Sequence, residues 1–500
     1  MKKIIVLCLA IFVSQCVFAE KKPNFIIFLV DDLGYNDVGI FNSKNIKTPN
    51  LDKMAESGIY YTSAYVGAPF CGPSRASLMT ASYPIRIGEP KNKKYLHTEL
   101  HSKELTLAEI LKGAGYTTAL VGKWHLGHKD KNHPLDQGFD SFFGTLSHNG
   151  TSLVVTEKNP VYLSEGRENL EQIDQDKMNQ ITTIYTEKSI EFIKENKDKP
   201  FFLFLSHNMP HVSLGVSDKF KGKSGVDLYS DVVMELDWSM GEIRKTLKEE
   251  GLDENTFIVF LSDNGPWITP TFEKGGSCGS AYPLRSSKGK SWEGGHRIPM
   301  IMEFKGKIPA GQSSNEMIFS MDILPTFAKL AGAKLPEDLD IDGLDIMPFA
   351  SGETKASPHE YFYYYGYTTL FAIRDKQYKL VLPREASPNH MGWWAKHIEE
   401  IKEIELYDLD NDISETKNVA KEHPEVVERL LKQAEIARAE LGDTNIVGAK
   451  VRSHEQGVPV ENRIDYSHNM KADAFRKAKA KAEAEAKAKA KAEAKAKDSK

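Results

Sequence analysis

Residues 24–30 read NFIIFLV, a stretch without a charge that ends on two acids, Asp31 and Asp32. A run of this kind has no polar face to give to water. It reads as a strand buried on both sides of a sheet, with the acids delivered at its carboxyl end. Comparable runs recur at 117–121, 201–206 and 256–262. Helical patterns lie between them at 48–56, 106–112, 180–196 and 228–250, the first with Pro49 near its start. Strands alternating with helices predict an α/β fold with a mostly parallel central sheet sandwiched by helices. Ligands of such sheets gather beyond the carboxyl ends of the strands. Asp31-Asp32, the stretch 207–211 and Asp263-Asn264 each follow one of these runs, so the fold is expected to bring them together.

The texture changes after Gly352. Residues 361–367 are rich in tyrosine. Stretches 371–374, 378–382 and 405–409 read as short strands, and 424–441 as a helix. The expected organisation is a principal unit over 20–352, a small C-terminal α+β domain over 353–445, and an extension over 446–500. The extension ends in an Ala/Lys/Glu tail whose charges would ring a helix on all sides, leaving it no core face. A solvated helix or disorder is the plain reading of that tail, and contact with a polyanion or anionic surface the sharper one.

Lys2 and Lys3, the apolar stretch 4–13 and Val17-Phe18-Ala19 form the pattern of a signal peptide over 1–19. The protein is therefore expected to be exported, periplasmic or secreted. The apolar stretch falls short of the roughly 20 residues that a membrane span needs, so an integral membrane protein is not expected. A lipid anchor through Cys16 is disfavoured by Gln15 before it. Cleavage would remove Cys8 and Cys16 and leave Cys71 and Cys278, which excludes a disulfide framework and leaves one bridge as the alternative. Net charge is −5, yet the last 30 residues hold 11 Lys/Arg against 5 Asp/Glu. The body is thus acidic, no nucleic-acid partner is expected, and an anionic substrate would need a local positive cluster.

The richest segment is Cys71-Gly72-Pro73-Ser74-Arg75. It resembles the C-x-P-S-R motif of the type I, formylglycine-dependent sulfatases of the alkaline phosphatase superfamily. Asp31-Asp32, Gly122-Lys123-Trp124-His125, His211, Ser262-Asp263-Asn264-Gly265, and Lys288-Gly289 ahead of Trp292-Glu293-Gly294-Gly295 follow the family's order. The resemblance covers about residues 24–440. It implies an alkaline-phosphatase-like catalytic unit in which a formylglycine-generating maturation enzyme oxidises Cys71. One hydroxyl of the resulting aldehyde hydrate attacks sulfur, and the other later expels sulfate, which is nucleophilic catalysis with its own release step.

By residue type, Asp31, Asp32, Asp263 and Asn264 offer hard oxygens of the kind Ca²⁺ takes in sets of roughly six to eight. Three acids so close are expected to repel without a cation; magnesium is compatible with the same donors. The resemblance implies one Ca²⁺ that also touches residue 71 and a sulfate oxygen. It further implies that Arg75 holds the nucleophile end and the metal carboxylates, that Lys123 and Lys288 clamp the sulfate, and that His125 bonds the formylglycine. His211 would be the general acid toward the departing alcohol, in preference to His207, and Asp263 could accept the hydrate proton.

Three departures from the family wording stand out. Gly72 fills the variable position, 81–84 and 86–88 read ASYP and RIG, and His296 follows Gly294-Gly295 where relatives carry a small or β-branched residue. His296 is expected to face the substrate beside Lys123, His211 and Lys288. His148, Trp267, Trp393 and Trp394 are candidate sugar contacts, and the insertion 134–179 and the C-terminal domain are expected to border the pocket. The motif wording is most similar to sulfatases acting on galactose or N-acetylgalactosamine sulfates, so a sulfated oligosaccharide or polysaccharide is the expected substrate. A phosphoester or phosphonate hydrolase of the same superfamily and a non-catalytic glycan-binding relative are the alternatives.

Overall fold

The computed structural model of the protein describes residues 21–87, 100–127, 131–147, 161–267, 279–366, 368–387, 398–443 and 446–452. The signal-peptide stretch, the Ala/Lys/Glu tail, His148, Cys278, Trp393 and Trp394 lie outside them.

The principal unit is built on one large sheet. Its strands in chain order are β1 (Asn24–Val30), β2 (Ile59–Tyr65), β3 (Thr117–Lys123), β4 (Ser141–Thr145), β5 (Tyr162–Glu165), β6 (Glu168–Gln172), β7 (Phe201–Ser206), β8 (Thr256–Ser262), β9 (Arg297–Glu303), β10 (Gln312–Ser314) and β11 (Ile318–Phe319). The spatial order is β10-β2-β9-β8-β1-β7-β3-β4-β5-β6, with β11 also on β2. The block β8-β1-β7-β3-β4 is parallel throughout. Around it lie helices α1 (Pro49–Glu56), α2 (Cys71–Thr80), α3 (Leu107–Gly113), α4 (Gln175–Glu195), α5 (Leu228–Glu249), α6 (Glu293–His296), α7 (Ile323–Leu330) and α8 (Met347–Ala350).

The uninterrupted apolar character of β1 has a direct cause. Phe25, Ile27 and Leu29 enter one core with Leu78 of α2, Leu107 of α3 and Phe327 of α7. Ile26, Phe28 and Val30 enter a second core with Met54 of α1, Tyr185 of α4 and Val232 of α5. Successive side chains point to opposite faces, and both faces are covered, so no position can be polar without a partner.

The small domain carries β12 (Phe362–Gly366), β13 (Thr369–Arg374), β14 (Tyr378–Val381) and β15 (Glu405–Asp408) in an antiparallel sheet of that order. Helix α9 (Pro424–Glu440) lays Val426, Leu430, Ala434 and Ala437 onto it, a helical spacing of one apolar stripe. Tyr65, Tyr83 and Trp292 from the principal unit share this third core. The two units are thus joined through side chains, not only through the linking chain.

Some elements differ from the sequence reading. Helix α4 begins at Gln175, one turn before the expected 180, because Asp174 caps it and accepts from the Lys177 amide at 2.8 Å. Strands β2 and β9 were not expected. They pair antiparallel with each other, and their sequences mix polar and apolar residues. Within the insertion 134–179, the described residues form β4 to β6 and extend the sheet at its far edge. No described helix is long and apolar enough to cross a membrane.

Candidate active site

Four neighbouring strands end at the same place. Strand β1 delivers Asp31 and Asp32, β3 ends on Lys123, β7 leads to His211, and β8 leads to Asp263 and Asn264. The junctions are fixed by the backbone: the Asp31 amide donates to Met209 O at 3.1 Å, and the Asp263 amide to Val30 O at 3.0 Å. Asp32 itself has φ 68° and His125 has φ 64°. Non-glycine residues rarely adopt this left-handed conformation, and such turns collect at functional sites, where the surroundings hold them. At Asp32 the turn folds the amide back onto Asp263 Oδ1 at 3.2 Å.

Cys71 opens α2, a helix whose ten residues are all buried, so its side chain projects from the helix N-terminus toward the acids. Lys288 Nζ lies 2.8 Å from Cys71 Sγ and 2.5 Å from Asp32 Oδ1. Asp32 Oδ1 also accepts from Asn264 Nδ2 at 2.7 Å. Lys123 Nζ donates to Asp31 Oδ2. Arg75, one turn into α2, donates through Nε to Asp263 Oδ2 at 2.9 Å and sets a terminal nitrogen 2.9 Å from the same oxygen as an ion pair. Its other terminal nitrogen reaches Ser206 Oγ at 2.6 Å and Lys123 O at 3.0 Å. His211 Nε2 is 3.7 Å from Asp32 Oδ2. Ligand atoms of Asp31, Asp32, Cys71 and Asp263 all fall within 4.8 Å of one another, and all four residues are buried.

The charges in this cluster correct one expectation. Three acids were expected to need a metal to offset their repulsion. Arg75, Lys123 and Lys288 already supply three positive charges against Asp31, Asp32 and Asp263. What points to a cation is the donor set. Asp31 Oδ1, Asp32 Oδ2 and Asn264 Oδ1 are buried and accept no hydrogen bond. Buried oxygens are rarely left this way, and carboxylate and amide oxygens are the ligands a hard divalent ion takes. The residues present therefore fit Ca²⁺.

Burial pushes the Cys71 thiol far above its ordinary range, and the nearby Asp31 adds to the shift. A thiol kept protonated is a poor nucleophile. Burial likewise raises Asp263, with Asp31 repelling it, to about 7 despite Arg75. Asp31 goes the other way: burial opposes its ionisation, but Lys123, His211 and Arg75 together hold it well below the usual carboxylate range. Burial lowers His211, while Asp32 and Asp31 pull it back up. An arriving anionic ester would add negative charge beside the ring and favour its protonated form.

Asp31, Asp32, Cys71, Arg75, Lys123, His211, Asp263, Asn264 and Lys288 are thus gathered in one cluster. His125 sits two residues past Lys123 on the same strand end. His207 is not a rival for His211. Its ring is buried against Phe28 and Tyr185, its Nε2 faces Ser239 Oγ at 3.2 Å, and burial lowers it to about 3. His296 does not face the site. It is fully buried, its Nδ1 lies on Val66 O at 3.2 Å, and Tyr364 and Phe362 of the small domain cover its ring at 5.0 and 5.8 Å. A histidine in an unusual motif position here serves packing between the two units. Trp267 is buried with its ring 5.5 Å from Lys288 Nζ. Cys71 is a free thiol, and Cys278, its partner in the single-bridge alternative, lies outside the described residues.

Sequence reasoning assigned no role to Ser206, nor to Ser262 within its motif. Ser206 Oγ joins Arg75 to Lys123 O, and Ser262 Oγ accepts from the Leu33 amide at 3.0 Å and donates to Asn264 O at 2.8 Å. The signal was present: FLFLS and IVFLS both close an apolar run on serine.

The family model described as "Sulfatase" matches residues 23–333, and a model described as "N-sulphoglucosamine sulphohydrolase, C-terminal" matches 287–440. An N-acetylgalactosamine-6-sulfatase of Canis lupus familiaris is 35% identical over 435 residues, covering 81% of this chain and 78% of the relative. A steryl-sulfatase of Homo sapiens is 34% identical and covers 71% and 74%. Among solved structures, Ps i-CgsB in complex with k-i-k-neocarrahexaose superposes with a TM-score of 0.71 at 27% identity, covering 90% of this chain and 98% of that one.

Proposed function

This chain belongs to the sulfatase family and is a sulfuric ester hydrolase, and from that premise we propose that it is an exported, calcium-dependent carbohydrate sulfatase that uses formylglycine at position 71. The observation that carries the reading is the position of residue 71. It opens α2 within 2.8 Å of a lysine and within 3.8 Å of Asp32 Oδ1, yet its thiol is unactivated. Conversion of Cys71 to formylglycine would supply the nucleophilic hydroxyl that the thiol does not. Asp31, Asp32, Asp263 and Asn264 would hold Ca²⁺, which supplies positive charge for residue 71 and a sulfate oxygen.

The chain's own groups then divide the work. Lys123 and Lys288 bring buried ammonium groups to the sulfate oxygens, where a dry site makes each worth more than in water. Arg75 fixes Asp263 and, through Ser206, the end of β7. His211 gives its proton to the leaving alcohol, and His125 bonds the modified residue. The substrate class draws on the relatives: an N-acetylgalactosamine-6-sulfatase and Ps i-CgsB, solved in complex with k-i-k-neocarrahexaose, both match over most of the chain. We favour galactose or N-acetylgalactosamine sulfates of a sulfated glycan.

The test is sulfate release from a panel of sulfated oligosaccharides of defined linkage, with phosphate monoesters alongside. Release from galactose-type esters is expected. Faster turnover of phosphate monoesters would assign the chain to phosphoryl transfer instead. Intact mass of active material should show residue 71 converted. Active protein with an unmodified thiol would end the formylglycine reading.

A further inference from the structure

Lys288 differs from the other cationic groups of the site in how it is held. Lys123 closes a strand and Arg75 stands on a helix. Lys288 lies in the irregular segment before α6. The principal unit grips that segment through two backbone bonds, Gly289 N to Pro69 O at 2.8 Å and Lys288 N to Pro266 O at 3.1 Å. The small domain holds it as well: Trp292 Nε1 donates to Glu399 Oε1, Arg285 Nη1 to Tyr407 Oη at 3.2 Å, and two further bonds meet at Glu415. Glu415 O accepts from Arg285 Nη1 at 2.9 Å, and Glu415 Oε2 accepts from the Glu293 amide at 2.9 Å. Arg285 and Glu293 stand on either side of Lys288, and the Gly294 amide closes the loop onto Arg285 O at 2.8 Å. One side chain and its own carbonyl thus bracket both ends of the segment.

The bracket is itself built in. Glu415 is 1% exposed and has φ 54°, a left-handed conformation that turns its carbonyl and side chain toward the same segment. Lys379 of β14, fully buried, places Nζ 2.7 Å from Glu415 Oε1 and 3.2 Å from Glu293 Oε1. Removing Lys379 alone would leave two buried acids without their shared cation.

We propose that Glu415 of the small domain is a positioning residue for Lys288, bracketing the segment that sets the lysine against residue 71 and Asp32. The proposal rests on the sulfatase reading for what Lys288 does, though not for where Lys288 sits. Misplacing a charged group by about an ångström costs on the order of a hundredfold in rate. Glu415→Ala in the full, matured chain is therefore expected to lower kcat for an aryl sulfate by about tenfold to a hundredfold, with KM changing by less than about threefold. In a Lys288→Ala background the same substitution is expected to change kcat by less than about twofold, because the group it positions is gone. An equal loss of kcat in both backgrounds would assign Glu415 a general structural role and overturn the proposal.

The pair Glu415→Gln with Lys379→Met keeps an acceptor for the Glu293 amide and removes the ammonium that Glu415 had paired, while Glu293 retains Arg297 and Arg374. It should recover most of the kcat lost in Glu415→Gln alone, and it serves if the alanine variant does not fold. No recovery in the pair would overturn the bracket. A crystal structure of Glu415→Ala supplies a reading independent of turnover. Lys288 Nζ beyond hydrogen-bond reach of Asp32 is expected, and Nζ unmoved would overturn the proposal even in an active enzyme. A displaced Nζ in a chain that releases sulfate from no ester would overturn the sulfatase reading and leave the bracket standing.

Discussion

His211 and Lys123 make separable demands on the substrate. A general acid matters in proportion to how poorly the alcohol leaves, whereas an ammonium on the sulfate matters for every ester. His211→Ala should lower kcat by about 10²–10⁴-fold on a sugar sulfate. On an aryl sulfate with an acidic phenol it should cost far less. Equal losses on both esters would remove His211 from the acid role. Lys123→Ala should lower kcat by about 10²–10³-fold on both. The orphaned oxygens of Asp31, Asp32 and Asn264 carry a prediction of their own. A chelator should lower the unfolding temperature and added Ca²⁺ restore it, since an ion at a hundred times its Kd stabilises by about 2.7 kcal/mol. An unfolding temperature indifferent to both would leave the cation assignment without support.

Elements fix where these side chains stand. The site exists because β8, β1, β7 and β3 are adjacent and parallel and end level with one another. Gly122 shows how tightly that end is built. It has φ 116°, and a Cβ there would lie 1.9 Å from Ser206 O, where β3 and β7 pair. Gly122→Ala should therefore destabilise the protein by about 3 kcal/mol and abolish turnover by displacing Lys123. Urea unfolding reads the first effect, and an unchanged midpoint would mean the strand end relaxes at no cost. The strand runs 24–30, 201–206 and 256–262 were legible because burial on two faces leaves an unbroken apolar string. Strand β2, IYYTSAY, was not legible. Its Tyr60 and Thr62 are only half-buried, and while Ile59, Tyr61 and Ala64 enter the principal core, Tyr65 answers to the small domain, a partner far along the chain.

The whole molecule is joined through buried charge. Glu293 is fully buried, accepts from Tyr65 Oη at 2.6 Å and from Tyr364 Oη, and pairs with Lys379, Arg297 and Arg374. Burial opposes its ionisation, yet Lys379, Arg374 and Arg297 hold it far below the usual carboxylate range. An acid depressed in the folded state stabilises above its unfolded pKa of about 4.3 and loses that contribution as pH falls below it. Stability should therefore drop as pH is lowered through about 4, and less steeply in Glu293→Gln paired with Lys379→Met, where the depressed acid is gone. Urea midpoints at a series of pH values would show it, and parallel curves would refute it. The sequence by itself determined the chemistry and the framework. Acids after buried strands, a cysteine in C-x-P-S-R and lysines in fixed wording are local patterns, and local patterns survive without knowledge of contacts. Only the tertiary structure decided that His296 packs against tyrosines, that His207 is a core residue, that three basic groups already balance the acids, and that Glu415 reaches across to the segment of Lys288. Each of these depends on which distant side chain occupies the neighbouring space, and that is settled by packing two units around a shared core.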